Sequence, residues 1–391
     1  MISNDANPTA AESRRTPNNG TEKSIKFKKL KKPWTKKKKR VVAISVIGAI
    51  LLIGATVTAW FLFFQPKPII DIANPEPVKY YSPLTGVETS EENTKLPITA
   101  VIVENSPEAR PQSGLSGDNV VFEAVAEGGI TRFNVLFQED QPTLIGPVRS
   151  LRAYYLEWST GFDAAQAHVG GSSEALNMIG NGSYALDIDE TASTFPIWRV
   201  KDRYVPHNAY TDGASLIKFQ SQKGKNSSEF TGWNRQDGQQ IKPLQNEEIT
   251  DENSEPTIDT NVYANSIILP VSSGQFLVSY EYNAESNSYD RYQGGIAHND
   301  REKGQISPDV VIAMMVNFRP TYDAKAHNDI TTIGKGTAYF FQNGIVEKGT
   351  WHKDTAKSNI VFTTDEGENI KLNRGQTWIT AIDNAKTPTW R

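Results

Sequence analysis

The 391-residue chain contains no cysteine. That absence excludes disulfides, thiolate chemistry and a lipid anchor through an N-terminal cysteine, so any folded part must rest on its hydrophobic core. Histidine is scarce. His168, His207, His298, His327 and His352 show no HxH or HxxxH spacing, so no metal ion and no cofactor is expected. His298-Asn299-Asp300 offers two potential ligands but reads as an exposed turn. No phosphate-cradling loop or nucleophile elbow is present, and no repeat of fixed period. Acidic residues number 45, too many to single out a carboxylate pair for glycoside hydrolysis.

Long apolar runs are also missing, with one exception. Residues 41–64 read VVAISVIGAILLIGATVTAWFLFF without a charge. As a helix they extend about 36 Å, enough for a hydrocarbon core of about 30 Å with modest tilt. The run is too long for a cleaved signal, and its exit is bulky where a peptidase needs small side chains. A permanent single-pass transmembrane helix in the plasma membrane is expected. The basic stretch KFKKLKKPWTKKKKR (Lys26 to Arg40) places the N-terminus in the cytoplasm and residues 65–391 outside. The run abuts the membrane, so it reads as an orientation signal rather than a nucleic-acid site.

Charge divides by compartment. Residues 1–40 carry 13 of the 41 Lys/Arg and 3 of the 45 Asp/Glu, about +10. Residues 65–391 carry the other 28 and 42, about −14. An acidic exterior part is not a nucleic-acid binder by default, and any anion it holds needs a local arginine cluster.

Composition suggests six segments: a disordered basic tail (1–40), the helix (41–64), a Pro-rich stalk (65–96), an N-terminal α+β domain (97–222), a polar linker or excursion (223–259) and a C-terminal β-rich domain (260–391). Strands are expected over 97–104, 119–127, 131–138 and 166–169, with a hairpin at Gly128-Gly129. Helices are expected from Arg149, from Ser172 or Ser173 to Gly180, and after Asp212. Beyond Asn261 the pattern is strand after strand.

Three clusters carry possible chemistry. In GPVRSLR (146–152), Arg149 and Arg152 fall three apart in the expected first helical turn, where paired guanidinium groups and the helix dipole suit an anion. In HVGGSS (168–173), His168 could act as general base and Ser172 as nucleophile. In RVKDRYVPHNAY (199–210), Pro206-His207-Asn208 forms a stiff polar loop beside Arg203. Each cluster has an equally simple structural reading: internal ion pairs, a buried histidine with a serine N-cap, and a hydrogen-bonded loop.

Taken in order, these motifs resemble the YerB-like family of bacterial envelope proteins. The resemblance rests on PLTG (83–86), IVEN (102–105), ARPQSGL (109–115), GPVRS (146–150), HVGGS (168–172) and PHN (206–208). It continues with Tyr292 to Asp300 and GQTW (375–378). It implies a layered α+β fold with helices and β-sheets in the N-terminal part, a β-rich C-terminal part and a place on the outer face of the membrane. It brings no accepted catalytic mechanism. Many relatives look lipid-anchored through cysteine, so the helix here is expected to substitute for a lipid tether.

Two functional readings follow. In the first, a non-catalytic binding or regulatory module holds a polar or anionic ligand through Arg149, Arg152, His168, Arg203, His207 and Asn208. In the second, a metal-independent hydrolase or transferase acts on cell-wall polymers with His168 as base. The partners expected are the plasma membrane, and beyond it a wall polymer or a wall-synthesis membrane protein. The latter would meet the small residues Gly48, Ala49, Gly54 and Ala55 of the helix.

Overall fold

A computed structural model describes residues 35–64, 78–193, 195–240, 262–321 and 328–391. Most of the expected basic tail, the expected stalk up to residue 77 and residues 241–259 of the expected linker lie outside these. The chain divides into two units, Met1–Glu76 and Pro77–Arg391.

The first unit holds one described element, helix α1 (Lys36–Phe63). It is long and apolar enough to cross a membrane, and none of its residues is buried.

In the second unit the elements run in order: β1 (Thr99–Glu104), β2 (Val120–Glu127), β3 (Ile130–Phe137), α2 (Ala153–Thr160), β4 (Ala165–His168), α3 (Ser173–Gly180), β5 (Asp187–Asp189) and α4 (Gly213–Gln222). The second half adds β6 (Ser266–Leu269), β7 (Val278–Asn283), β8 (Ser288–Gln293), β9 (Ile296–Ala297), β10 (Val310–Val316) and β11 (Gly334–Gln342). It closes with β12 (Ile345–Lys353), β13 (Val361–Thr363), β14 (Thr377–Asp383) and β15 (Thr389–Trp390). Shorter pairings complete the unit.

Ten strands form one sheet in the order β13-β12-β11-β10-β14-β2-β3-β1-β4-β5. The N-terminal and C-terminal halves therefore supply five strands each, joined where β14 runs parallel to β2 (Trp378 opposite Val121). The central strands are largely apolar, β10 (VVIAMMV) wholly so, because both of their faces are covered. In β10, Val310, Ile312, Met314 and Val316 enter the core shared with Tyr154, Tyr155 and Trp158 of α2. Val311, Ala313 and Met315 enter the core under the five-stranded sheet β9-β8-β7-β6-β15. A third cluster packs α4, through Leu216, against Val101 and Val103 of β1.

The layered α+β fold and the β-rich second half agree with the sequence reading. The stalk boundary does not. Among the described residues, paired strands at Tyr80–Tyr81 and Glu88–Thr89 already lie within the expected stalk, so packed structure does not wait until after residue 96. Leu84 and Thr85 are fully buried, and Ser82 Oγ donates to Glu139 Oε2 (2.6 Å). Tertiary contact holds this Pro-containing stretch, which has no periodicity of its own to announce it.

Candidate functional site

Backbone pairing brings four of the sequence motifs together at the end of β1. Arg149 N donates to Ile102 O (2.8 Å), Glu104 N to Pro147 O (2.9 Å) and Val148 N to Ala209 O (2.7 Å). Ser113 and Gly146 pair from the other side. Gly146, at φ +149°, passes so close to the next segment that a Cβ would sit 2.8 Å from Ala209 O. Only glycine fits there.

This course corrects the expected anion site at a helix N-terminus. Helix α2 begins at Ala153, and Arg152 caps it in extended conformation (φ −126°, ψ 150°). Residues 149–151 are held extended, since Leu151 N donates to Gly170 O and Ser172 N to Leu151 O. Arg149 and Arg152 therefore share no helical face and turn to different carboxylates.

Glu104 is the hub of the first group. Its side chain is only 4% exposed, and Arg149 Nε approaches Oε1 to 3.4 Å while His207 Nδ1 lies 3.0 Å from Oε2. Ser106 Oγ donates to Oε1 (2.9 Å). Arg149 and His207 remain partly exposed, and their outer nitrogens (Nη1 and Nη2 of Arg149, Nε2 of His207) have no partner among the described residues. Glu127 is the hub of the second, pairing with both Arg132 and Arg152, whose side chains are almost buried. Burial and the neighbouring Arg152 charge lower the Arg132 pKa.

The remaining candidates are structural. Arg203 donates to Glu108 O (3.3 Å) and Pro111 O (2.6 Å), tying two loops together. Asn208 accepts from Arg199 Nη1 (2.9 Å) and donates to Val200 O (3.2 Å). His168 is fully buried, with Nδ1 2.9 Å from Gly170 O and Nε2 2.9 Å from Asp187 Oδ1. Ser172 Oγ accepts from Ala175 N as the N-cap of α3. A base with both ring nitrogens engaged and a serine turned to its own helix do not make a nucleophile–base pair, so the geometry does not support the roles foreseen for His168 and Ser172. Among the described residues no group of three His, Asp or Glu is arranged for a metal ion.

Sequence reasoning missed the network behind the site. Glu123 and Arg291, both without solvent exposure, pair at 2.8 Å. Glu123 also accepts from Trp378 Nε1 (3.1 Å) and Thr131 Oγ1 (3.1 Å). Arg291 Nε donates to His298 Nδ1 (2.9 Å), which leaves the proton on Nε2 to face Gln112 Oε1 (3.1 Å). Burial and the Arg291 charge hold His298 well below its usual pKa, so it is neutral. Gln112 Nε2 then donates to Glu104 O (3.0 Å) and Asn105 Oδ1 (3.0 Å). The His298-Asn299-Asp300 stretch is thus no exposed turn. His298 and Asp300 are buried, and Asp300 Oδ2 accepts from Leu115 N (2.7 Å). An Arg–His–Gln chain between distant segments has no local signature; the ordered motifs were its only trace.

The fold and site define a layered α+β protein in which one continuous sheet positions a buried carboxylate under a partly exposed arginine and a partly exposed histidine. Residues 84–227 match the N-terminal domain, and residues 267–379 the C-terminal domain, of a protein family of unknown function, DUF3048. The chain belongs to this family. It is 31% identical over 308 residues to "Putative lipoprotein YerB" of Bacillus subtilis (strain 168), covering 78% of this chain and 86% of that protein. The crystal structure of the YerB protein from Bacillus subtilis superposes with a TM-score of 0.67 at 29% identity, over 80% of this chain and 99% of that one.

Proposed function

We propose that this is a membrane-tethered binding module of the cell envelope. In this reading α1 spans the plasma membrane once with its N-terminus in the cytoplasm. The folded unit then works outside, holding an anionic ligand at Arg149 and His207. One observation carries the reading: a guanidinium and an imidazole lean on one buried carboxylate while their outer nitrogens have no partner among the described residues. Glu104 orients the groups, and the planar guanidinium edge presents two parallel donors suited to a carboxylate or phosphate.

The test uses the full chain in lipid nanodiscs, incubated with purified wall fragments. Retention and new products are read by pull-down and mass spectrometry, wild type against Arg149→Ala. Binding without turnover, lost in the variant, supports the module. New products from the wild type would select the hydrolase or transferase instead. Equal retention of both proteins would remove Arg149 from the site.

A further inference from the structure

The two edges of the ten-stranded sheet differ. At β13, Thr363 bridges Asn369 and Ile370 N donates to Phe362 O (3.0 Å), so the following segment covers that edge. At β5 no further strand pairs among the described residues. Gln166 N donates to Leu186 O and Glu190 N to His168 O, so residues 186, 188 and 190 face β4. The alternate residues Ala185, Asp187 and Asp189 turn their backbone groups outward. Asp189 O is taken by Ala192 N and Ser193 N. The N–H and C=O of Ala185 and Asp187 and the N–H of Asp189 remain without a partner among the described residues.

This edge does not open onto flat surface. It lines a groove of about 850 Å³, bounded by the end of α3 and by Phe195, Phe219 and Lys223. That volume lies within the range of about 300–1,000 Å³ typical of ligand sites. The open edge, 185–189, is about 16 Å long at about 3.3 Å per residue, the reach of a five-residue strand. The far wall is aromatic and cationic. Lys223 Nζ lies over the Phe219 ring (5.5 Å) and has no acidic partner among the described residues, and Lys225, paired with Asp163 (2.9 Å), adds a second cation to the lining. The carboxylates of β5 are engaged: Asp187 with His168, and Asp189 with Gly170 N and Thr191.

We propose that this groove receives an extended acidic peptide of a partner protein, which adds an eleventh strand beside β5. Main-chain hydrogen bonds to Ala185, Asp187 and Asp189 supply the register. The peptide's alternate side chains then meet Lys223, Lys225 and the two phenyl rings. The charge of this wall, on a unit of net negative charge, favours an acidic strand over a basic one. The groove shares no residue with the Arg149–His207 site, so the two readings stand or fall separately.

The test titrates the full chain in nanodiscs with fluorescein-labelled peptides TVEVEVT and TVKVKVT, and with TVEVEVT N-methylated at alternate amides. TVEVEVT is expected to bind about tenfold or more tightly than TVKVKVT, and N-methylation to abolish binding. Amide exchange at Asp187 and Asp189 should slow in the complex. Lys223 is exposed at the C-terminal cap of α4, so Lys223→Glu leaves the core untouched and should weaken TVEVEVT several-fold. Equal affinity for the acidic and basic peptides, or unchanged exchange at Asp187 with peptide bound, overturns the proposal. So does the lack of saturable binding up to about 1 mM, the weak end of specific recognition.

Discussion

Arg291 Nη2 lies 2.8 Å from Glu123 Oε2, and neither side chain reaches solvent. The pair joins β8 of the five-stranded sheet to β2 of the ten-stranded one. The Arg291 guanidinium also sits over the Trp378 ring of β14, 4.3 Å from its centroid. Glu123→Ala leaves a buried guanidinium uncompensated and is expected to cost about 3–5 kcal/mol. Replacing both partners, as Glu123→Leu with Arg291→Met, should cost less than the single change. Urea denaturation of the three proteins checks the ordering, and equal losses would contradict the pair's isolation from water.

Glu127 is the counterion of both Arg132 and Arg152. Glu127→Gln should therefore destabilise more than Arg152→Met, because it leaves two neighbouring guanidinium groups nearly buried without their carboxylate. Adding Arg152→Met to Glu127→Gln should recover part of the loss. Thermal denaturation of the double-mutant cycle measures this coupling.

Gly146 is held at φ +149°, with Ala209 O and Tyr210 Cδ1 both 2.8 Å from where a Cβ would stand. Gly146→Ala is expected to cost about 1–3 kcal/mol through backbone strain and this overlap. Residues 147–149 would shift with it, so ligand binding at Arg149 should weaken along with stability. Denaturation and the wall-fragment pull-down read the two effects.

Burial pushes the Asp309 carboxyl up to about 6. Its folded pKa lies above the ordinary value, so the folded state binds the proton more tightly than the unfolded chain. Stability then falls as pH rises from about 4 to about 6, with a slope of at most about 1.4 kcal/mol per pH unit from this group. Asp309→Asn should remove that slope. The variant can still accept from Gln376 N, which now donates to Asp309 Oδ2 (2.8 Å). Urea midpoints of both proteins between pH 4 and 7 give the difference.

All three hydrophobic clusters lie within Pro77–Arg391. A chain starting at Pro77 is expected to unfold at the same temperature as the full chain in detergent, followed by circular dichroism. A marked drop would show that the N-terminal unit supports the fold.

Strands and helices with strong periodicity were legible. The hairpin at Gly128-Gly129 joins β2 to β3, and the apolar run of β10 ends at Val316. The helix expected from Arg149 starts four residues later, because neighbouring backbone claims residues 149–151 first. Of the named site residues, Arg149 and His207 meet on Glu104, whereas Arg152, His168, Arg203 and Asn208 are bound elsewhere. The carboxylate that unites the pair lay inside a quoted motif, yet nothing local distinguishes one glutamate among so many.

Composition and period alone determined the apolar helix, the freedom from thiol chemistry, the charge contrast and most element types. These properties depend on neighbours in the chain, where side-chain pattern and backbone preference act directly. Tertiary structure decided that both halves share one sheet, that Arg149 and His207 converge on Glu104, and that His168 is buried rather than poised. Those outcomes depend on hydrogen bonds and ion pairs between residues far apart in the chain, whose partners only the fold selects.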